Sequence, residues 1–436
     1  MQPNNQATTK FSESIDCLEW KKKAIKKTIE EGVIPNEPLV MLYNLNEFRK
    51  VAQESNQVFG GLQTMAVKCN PVMSLLKEAN KCGLGAEVAS FGELKISEAA
   101  GFSPDKIVFD SPIKTRSELE YAINLGCKMN VDNFQELERI KEIVAKLPSD
   151  KVDQLVIGIR VNPQVAAGKL ADLSTGVPTS KFGIGMEYKD QIVQEYRNNR
   201  WLKTIHVHVG SQGFEMSAIT NSASIVFELT KEINVLTNDQ IKFFNIGGGL
   251  SVNFESEQIN PTFTQYSQLL RETLPELFNG KYILITEFGR SYWAKCGVVV
   301  SNIEYHKVSS GREIGMVHGG ANLFVRTIYQ YPLWKFRLTI FDQNGKYKSG
   351  EEGAAITDLG GPCCFASDLL CQKTMLPLLT NNDFVMVHDT GAYCLSAYSH
   401  YNLRLAPPIY AYEESDNSLV KIKKGETIED IINFFS

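Results

Sequence analysis

The sequence predicts an α/β protein: a (β/α)8 barrel with a second, C-terminal all-β domain. Three observations carry that prediction. Short apolar, β-branched runs alternate with amphipathic stretches from Gln63 to Thr286, the pattern of parallel βαβ units. Polar residues recur where those runs end, at Lys68, Glu87, Asp110, Asp132, Arg160, His208, Gly247–Gly249 and Glu287, as expected if the run ends form the functional face of a barrel. Beyond about residue 290 the helical patterns become scarce and strand-like runs separated by turns take over.

In chain order, Leu39–Tyr43 is an apolar run that precedes the barrel and is expected to join the β domain. The barrel runs are Gln63–Val67, Ala86–Ala89, Ile107–Asp110, Met129–Asp132, Leu155–Val161, Thr204–Val209, Phe243–Ile246 and Tyr282–Thr286. Amphipathic helices are predicted between them, among them Val72–Lys81, Phe91–Ala100, Arg116–Leu125 and Phe134–Leu147. Eight runs at this spacing match a closed barrel of about 250 residues; an open doubly wound sheet is the alternative. The later strands are Val298–Tyr305, Ile314–His318, Phe336–Phe341, Ala354–Asp358, Phe384–His388 and Pro408–Tyr412. The expected domains are 44–289 for the barrel and 290–436 for the β domain, the latter joined by the N-terminal segment 1–43.

Composition narrows the function classes. The chain of 436 residues is 43% hydrophobic and 22% charged, which excludes extended disorder and collagen-like or coiled-coil classes. A net charge of −5 argues against nucleic-acid binding. No apolar run approaches the roughly 20 residues of a membrane span, and polar Met1–Lys10 shows no secretory signal. The nine cysteines form no CxxC pair, so a reducing, cytoplasmic setting is expected rather than a disulfide framework. Cys363 and Cys364 are adjacent and poorly spaced for one metal. His206 and His208 would share a strand face, but no third ligand is legible nearby. No metal site is predicted.

The candidate chemistry lies at the run ends. Lys68, in Ala66-Val67-Lys68-Cys69-Asn70-Pro71, points into the barrel mouth, where an amine can be tuned to condense with a carbonyl cofactor. Alone it reads as a surface lysine. Asn245-Ile246-Gly247-Gly248-Gly249-Leu250 follows the seventh run, where barrels commonly bind phosphate, and glycine amides can wrap an anion. Glu287 suits a protonated ring nitrogen and Arg290, three residues on, a phosphate or carboxylate. His208-Val209-Gly210-Ser211-Gln212 places an imidazole that can stack on a flat ring and a hydroxyl for its phosphate. In isolation each has a plainer explanation: a turn, an ion pair, a core histidine. Together they fit pyridoxal 5'-phosphate.

These motifs resemble the fold-type III pyridoxal-phosphate decarboxylases, which include ornithine, arginine and diaminopimelate decarboxylases. The resemblance runs from about Pro38 to Pro408 and rests on Ala66–Pro71, Glu87–Ser90 to Glu93, Arg160–Pro163, Ser180–Gly185, His208–Gln212, Ile246–Gly249, Glu287–Arg290, Gly361–Cys364 and Gly391–Tyr393. It implies a TIM-like barrel with an alanine-racemase-like second domain. It implies that Lys68 carries the cofactor, that Glu287 pairs with its ring nitrogen, and that His208 stacks on the ring with Glu87 and Arg160 nearby. Ser211, Gly247, Gly248, Gly249, Arg290 and Tyr393 would hold the phosphate, with Cys364 as the catalytic proton donor. It further implies a head-to-tail homodimer with shared active sites and an amino acid substrate.

Within the family, Ser174–Gly176, Ser180–Gly183 and His208–Gln212 look most like diaminopimelate decarboxylases, with Arg290 and Arg326 as carboxylate clamps and Tyr329 and Tyr393 near the substrate. Tyr329 and Tyr331 flank the place where that subfamily has its tyrosine. Phe365 departs further: relatives carry an acid directly after the catalytic cysteine to hold the substrate's distal ammonium. Phenylalanine cannot accept those hydrogen bonds, and an unpaired buried ammonium is costly. His318 and Phe288 replace an acid and a proline. The expectation is therefore a diaminopimelate-like substrate, or a distally acidic or conjugated amino acid. Asp368, three residues beyond Phe365, keeps a lysine- or ornithine-type decarboxylase in view. A catalytically inactive regulator resembling antizyme inhibitor is disfavoured by the retained Lys68, Glu287, Cys364 and Tyr393. An alanine-racemase-like enzyme is disfavoured by the Gly361–Cys364 loop, and a single-barrel cofactor carrier by the β domain.

Overall fold

A computed structural model describes residues 18–165, 174–330 and 335–436, apart from the side chains of Arg326 and Thr327. The chain divides into two compact units.

One unit, Phe48–Val252 with Ile259–Trp293, contains a closed, wholly parallel barrel. Its strands are β1 (Leu62–Ala66), β2 (Gly85–Val88), β3 (Ile107–Asp110), β4 (Lys128–Val131), β5 (Ile157–Asn162), β6 (Leu202–His206), β7 (Phe243–Asn245) and β8 (Ile283–Phe288). Each pairs in parallel with the next, and β8 pairs back with β1 to close the ring. These strands are almost entirely buried, as expected of a parallel sheet covered on both faces. The intervening helices start where side chains cap them. Ser90 accepts from the Glu93 N–H, and Thr115 with Glu118 and Thr262 with Gln265 form capping boxes. The expected sixth run extended to Val209, but the ladder stops at His206. His206 thus belongs to the strand and His208 to the loop beyond it.

The other unit comprises residues up to Glu47, Asn253–Gln258 and Ala294–Ser436. Leu39–Asn44 lies inside its sheet, antiparallel to Gly297–Ser309 and parallel to Ile409–Glu413. Trp20, Val40, Leu42, Val298, Val300, Phe341 and Tyr412 share one apolar core. Two strands were not expected. Leu369–Pro377 has its alternation broken at Cys371-Gln372-Lys373, where Lys373 takes a positive φ of 49°. Ser418–Lys423 is a partly exposed edge strand of mixed polarity. The segment Asn253–Gln258 is recruited by charge: Glu257 accepts from Lys21 Nζ at 2.7 Å and Arg337 Nη1 at 3.1 Å, all in buried or nearly buried positions. Among the described residues the cysteines are free, and no helix is long and apolar enough to cross a membrane.

Candidate active site

The barrel's C-terminal face gathers charged side chains, with Glu87, Asp110, Arg160, His206 and Glu287 buried and Lys68 exposed. β1 ends at Ala66, and a single 3-10 turn, Val67–Cys69, carries Lys68. Its ammonium donates to both oxygens of Glu87, at 2.8 and 2.6 Å, from the neighbouring β2. Glu87 is fully buried, and that burial, opposed by Lys68, pushes its carboxyl up to about 8.

Glu287, next to last in β8, is held from several strands. Asn245 of β7 donates to its Oε1 at 2.6 Å, and Asn130 of β4 donates to the same oxygen at 3.4 Å. His206 Nε2 lies 3.3 Å from Oε2, and His206 Nδ1 lies 3.6 Å from Asp110 on β3. Asp110 in turn accepts from Arg160 Nη1 at 2.9 Å, and the Arg160 guanidinium rests on the Phe182 ring, 4.6 Å from its centre. Burial alone would raise the Asp110 carboxyl, but Arg160, His206 and Lys114 hold it well below the usual carboxylate range.

The glycine run shapes this corner as much as it exposes amides. A Cβ on Gly248 would sit 2.2 Å from the Glu287 carbonyl oxygen, and one on Gly249 2.3 Å from that of Gly210. Gly247 donates its N–H to Asn245 Oδ1 at 2.9 Å, and Gly248 donates to His208 Nδ1 at 3.0 Å. Two of the three amides of the run are thus engaged within the protein, on Asn245 and His208. Burial, then Arg160, Lys68 and His206, keep His208 well below its ordinary value, which favours the neutral ring. Arg290 Nη2 approaches Ser211 Oγ at 3.4 Å.

The remaining candidates lie on the sheet unit. Cys364 is exposed, its N–H donating to Asn402 Oδ1 at 2.6 Å and its carbonyl accepting from Tyr401 at 3.1 Å. Phe365 stacks on Tyr329, centroids 5.3 Å apart and planes inclined by 25°. Asp368 is engaged by the backbone of its own unit. It is buried, its two oxygens each accept a backbone N–H at 2.7 Å, from Ala321 and Cys363, and Gly320 and Gly361 close over it. Two backbone segments must be joined there, and the carboxylate joins them. Tyr393 is half-buried with φ of 61°. Arg326 lies on the short helix Val325–Tyr329, and its side chain, like Tyr331, falls outside the described residues.

With this geometry in hand, the comparisons decide the family. A family model described as pyridoxal-dependent decarboxylase, pyridoxal binding domain, matches residues 45–294. The chain belongs to this family. It is 30% identical to a diaminopimelate decarboxylase of Campylobacter jejuni, over 84% of this chain and 87% of that one. It is 29% identical to an L-glutamyl-[BtrI acyl-carrier protein] decarboxylase of Niallia circulans, over 84% and 86%. A crystal structure of Helicobacter pylori diaminopimelate decarboxylase complexed with L-lysine superposes with a TM-score of 0.82 at 26% identity, covering 93% of this chain and 98% of that one. The protein is a pyridoxal-phosphate-dependent amino acid decarboxylase. Its residues fit the cofactor: an amine, a carboxylate held by two amides, a neutral imidazole, and an Arg–Ser pair beside a glycine turn.

Sequence reasoning missed Asn130 and Asn245 and set His206 aside. The usable signal was an amide or imidazole inside an apolar strand run, since buried polar groups need partners. Which partners these were depended on strands far apart in the chain.

Proposed function

We propose that this decarboxylase removes the α-carboxylate of an amino acid of the diaminopimelate size class whose distal end is acidic or conjugated rather than a free ammonium. One observation carries the substrate assignment: the position after Cys364 is an aromatic stacked on Tyr329, and the nearest acid, Asp368, is engaged by backbone amides. The phenylalanine side chain supplies no acceptor to an ammonium at that position. The Niallia relative, which by its name acts on a glutamyl carrier protein, supports the breadth of substrate.

Bound pyridoxal phosphate supplies an electron-withdrawing ring that stabilises charge developing at Cα as CO2 leaves. In this reading Lys68 anchors the cofactor, and Glu87 holds its amine and exchanges a proton with it. Glu287 accepts the ring-nitrogen proton's hydrogen bond, fixed by Asn245 and Asn130. His208, neutral, presents its face to the ring, and Arg160 lies beside it. Ser211, Arg290, the Gly249 amide and Tyr393 hold the phosphate. Arg326 and Tyr329 are the candidate substrate-binding residues, and Cys364 would deliver a proton to Cα. A head-to-tail homodimer with shared sites in the cytoplasm is part of the same reading.

The test is CO2 release and product mass with the cofactor-loaded enzyme and a panel of meso-diaminopimelate, lysine, ornithine, arginine, and distally acidic or acylated amino acids. Acidic or acylated substrates are expected to be preferred, and Phe365→Glu is expected to shift preference towards basic ones. Lysine or ornithine turning over as fast as any acidic substrate refutes the substrate assignment. Lys68→Ala is expected to lose both turnover and the visible absorbance of the bound cofactor.

A further inference from the structure

His206 is fully buried on β6, and neither ring nitrogen makes a hydrogen bond to any described residue; each only lies close to a carboxylate. Nε2 faces Glu287 at 3.3 Å and Nδ1 faces Asp110 at 3.6 Å. A carboxylate only accepts hydrogen bonds, and a neutral imidazole has a single N–H. With one carboxylate at each nitrogen, a neutral ring would turn a lone pair on one of them. Asp110 is held ionised by Arg160, with Lys114 adding to the same effect. The other charged or titratable groups around the ring are His208, 6.5 Å away and near-parallel, and the Lys68–Glu87 pair, which acts on Asp110, His208 and Glu287.

We propose that His206 is a positioning residue: its ring, protonated on both nitrogens, bridges Asp110 and Glu287 and keeps the Glu287 carboxylate ionised and aimed at the cofactor's ring nitrogen. The chain Arg160–Asp110–His206–Glu287 then alternates in charge across the barrel floor, and buried charges are tolerated when paired in this way. The donor atoms of Asp110, His206 and Glu287 lie within 4.8 Å of one another, close enough for a shared cation. Arg160 engages Asp110 Oδ2 and the two amides engage Glu287 Oε1, which leaves Asp110 Oδ1 and Glu287 Oε2 facing the imidazole, and in this proposal the ring serves as that cation. The inference rests on the proposed role of Glu287.

Two measurements test it on the cofactor-loaded enzyme. Long-range 15N–1H spectra should show one histidine whose two nitrogens both carry protons through pH 8, a signal that His206→Gln removes. A spectrum in which every ring has one bare nitrogen at pH 7 overturns the proposal without any variant, as does one equivalent of bound transition metal. Kinetically, His206→Gln is expected to lower kcat roughly 10- to 100-fold, the usual scale for a group that orients a ligating side chain, with KM little changed. Because Glu287 loses a cationic neighbour, its proton affinity rises. The acid limb of the kcat profile should therefore move up by about one pH unit, a tenfold change in that affinity. A merely structural role would leave that limb in place, and an unmoved limb with parental kcat refutes the bridge. Glu287→Gln separates the two ideas. If it is harmless, the role of Glu287 fails; if it abolishes turnover while His206→Gln does nothing, only the bridge fails.

Discussion

Replacing Gly248 by alanine tests how closely the glycine turn sets the position of Glu287. The new Cβ would lie 2.2 Å from the Glu287 carbonyl oxygen, where ordinary contact begins near 3.4 Å. The obstacle is backbone, so the two segments must part by about 1.2 Å. That movement stretches the 2.7 Å bond from the Glu287 N–H to the Gly247 carbonyl and pulls the carboxylate from Asn245, now 2.6 Å away. A misplacement of about 1 Å at a reacting constellation costs about 100-fold in rate, or about 2.7 kcal/mol of barrier. The assay is kcat for CO2 release with the best substrate of the panel, with cofactor affinity and thermal unfolding measured in parallel. Gly92→Ala is the control. It sits on the exposed side of helix Phe91–Ala99, and its Cβ would have no atom nearer than Ser90 Oγ at 3.7 Å. That change is expected to leave kcat alone and add about 0.5–1 kcal/mol of stability. A Gly248→Ala enzyme that unfolds like the parent and keeps kcat within about threefold would refute the reasoning.

His388 predicts an acid-labile sheet unit. Burial, opposed by Glu257, brings its imidazole down to about 4 from an ordinary 6.5; the unfolded chain then binds more protons between those values, so stability falls as pH drops from 6.5 to 4, by about 3 kcal/mol in all. Glu257 is itself held below its ordinary 4.5 by His388, Lys21 and Arg337 against burial, so its contribution is present above 4.5 and lost only at lower pH. Urea unfolding at stepped pH should therefore show a shallower slope between 6.5 and 4.5 for His388→Gln than for the parent, and equal slopes would contradict the assignment. Asp368→Asn keeps one acceptor oxygen and turns an NH2 towards a backbone N–H, so a loss of about 2–4 kcal/mol is expected. Thermal unfolding and proteolysis of the 361–368 loop would read it, and an unchanged melting curve would show that Asp368 is not the clamp described.

Much of this protein was legible before any coordinates. The eight barrel runs stand within a few residues of their expected places because a parallel strand buried on both faces has to be apolar along its whole length, and the chain between strands has to be amphipathic to cover it. Edge and interrupted strands were not legible. Ser418–Lys423 is half exposed and shows no regular alternation, and Leu369–Pro377 changes register in mid-strand. Lys68, Glu87, His208 and Glu287 stood out because each is polar at the end of an apolar run.

The sequence by itself determined the fold class, the barrel strands, the family and the chemical types at the mouth of the barrel, since period, apolar content and motif spacing are local properties. Only the tertiary structure decided what those groups do to one another. That Glu287 meets Asn130, Asn245 and His206, that two glycine amides bond to Asn245 and His208, and that Asp368 joins two backbone segments all depend on strands and loops brought together by barrel and sheet closure. Hydrogen bonds and ion pairs act over a few ångströms, and distance along the chain carries no record of which atoms come that close.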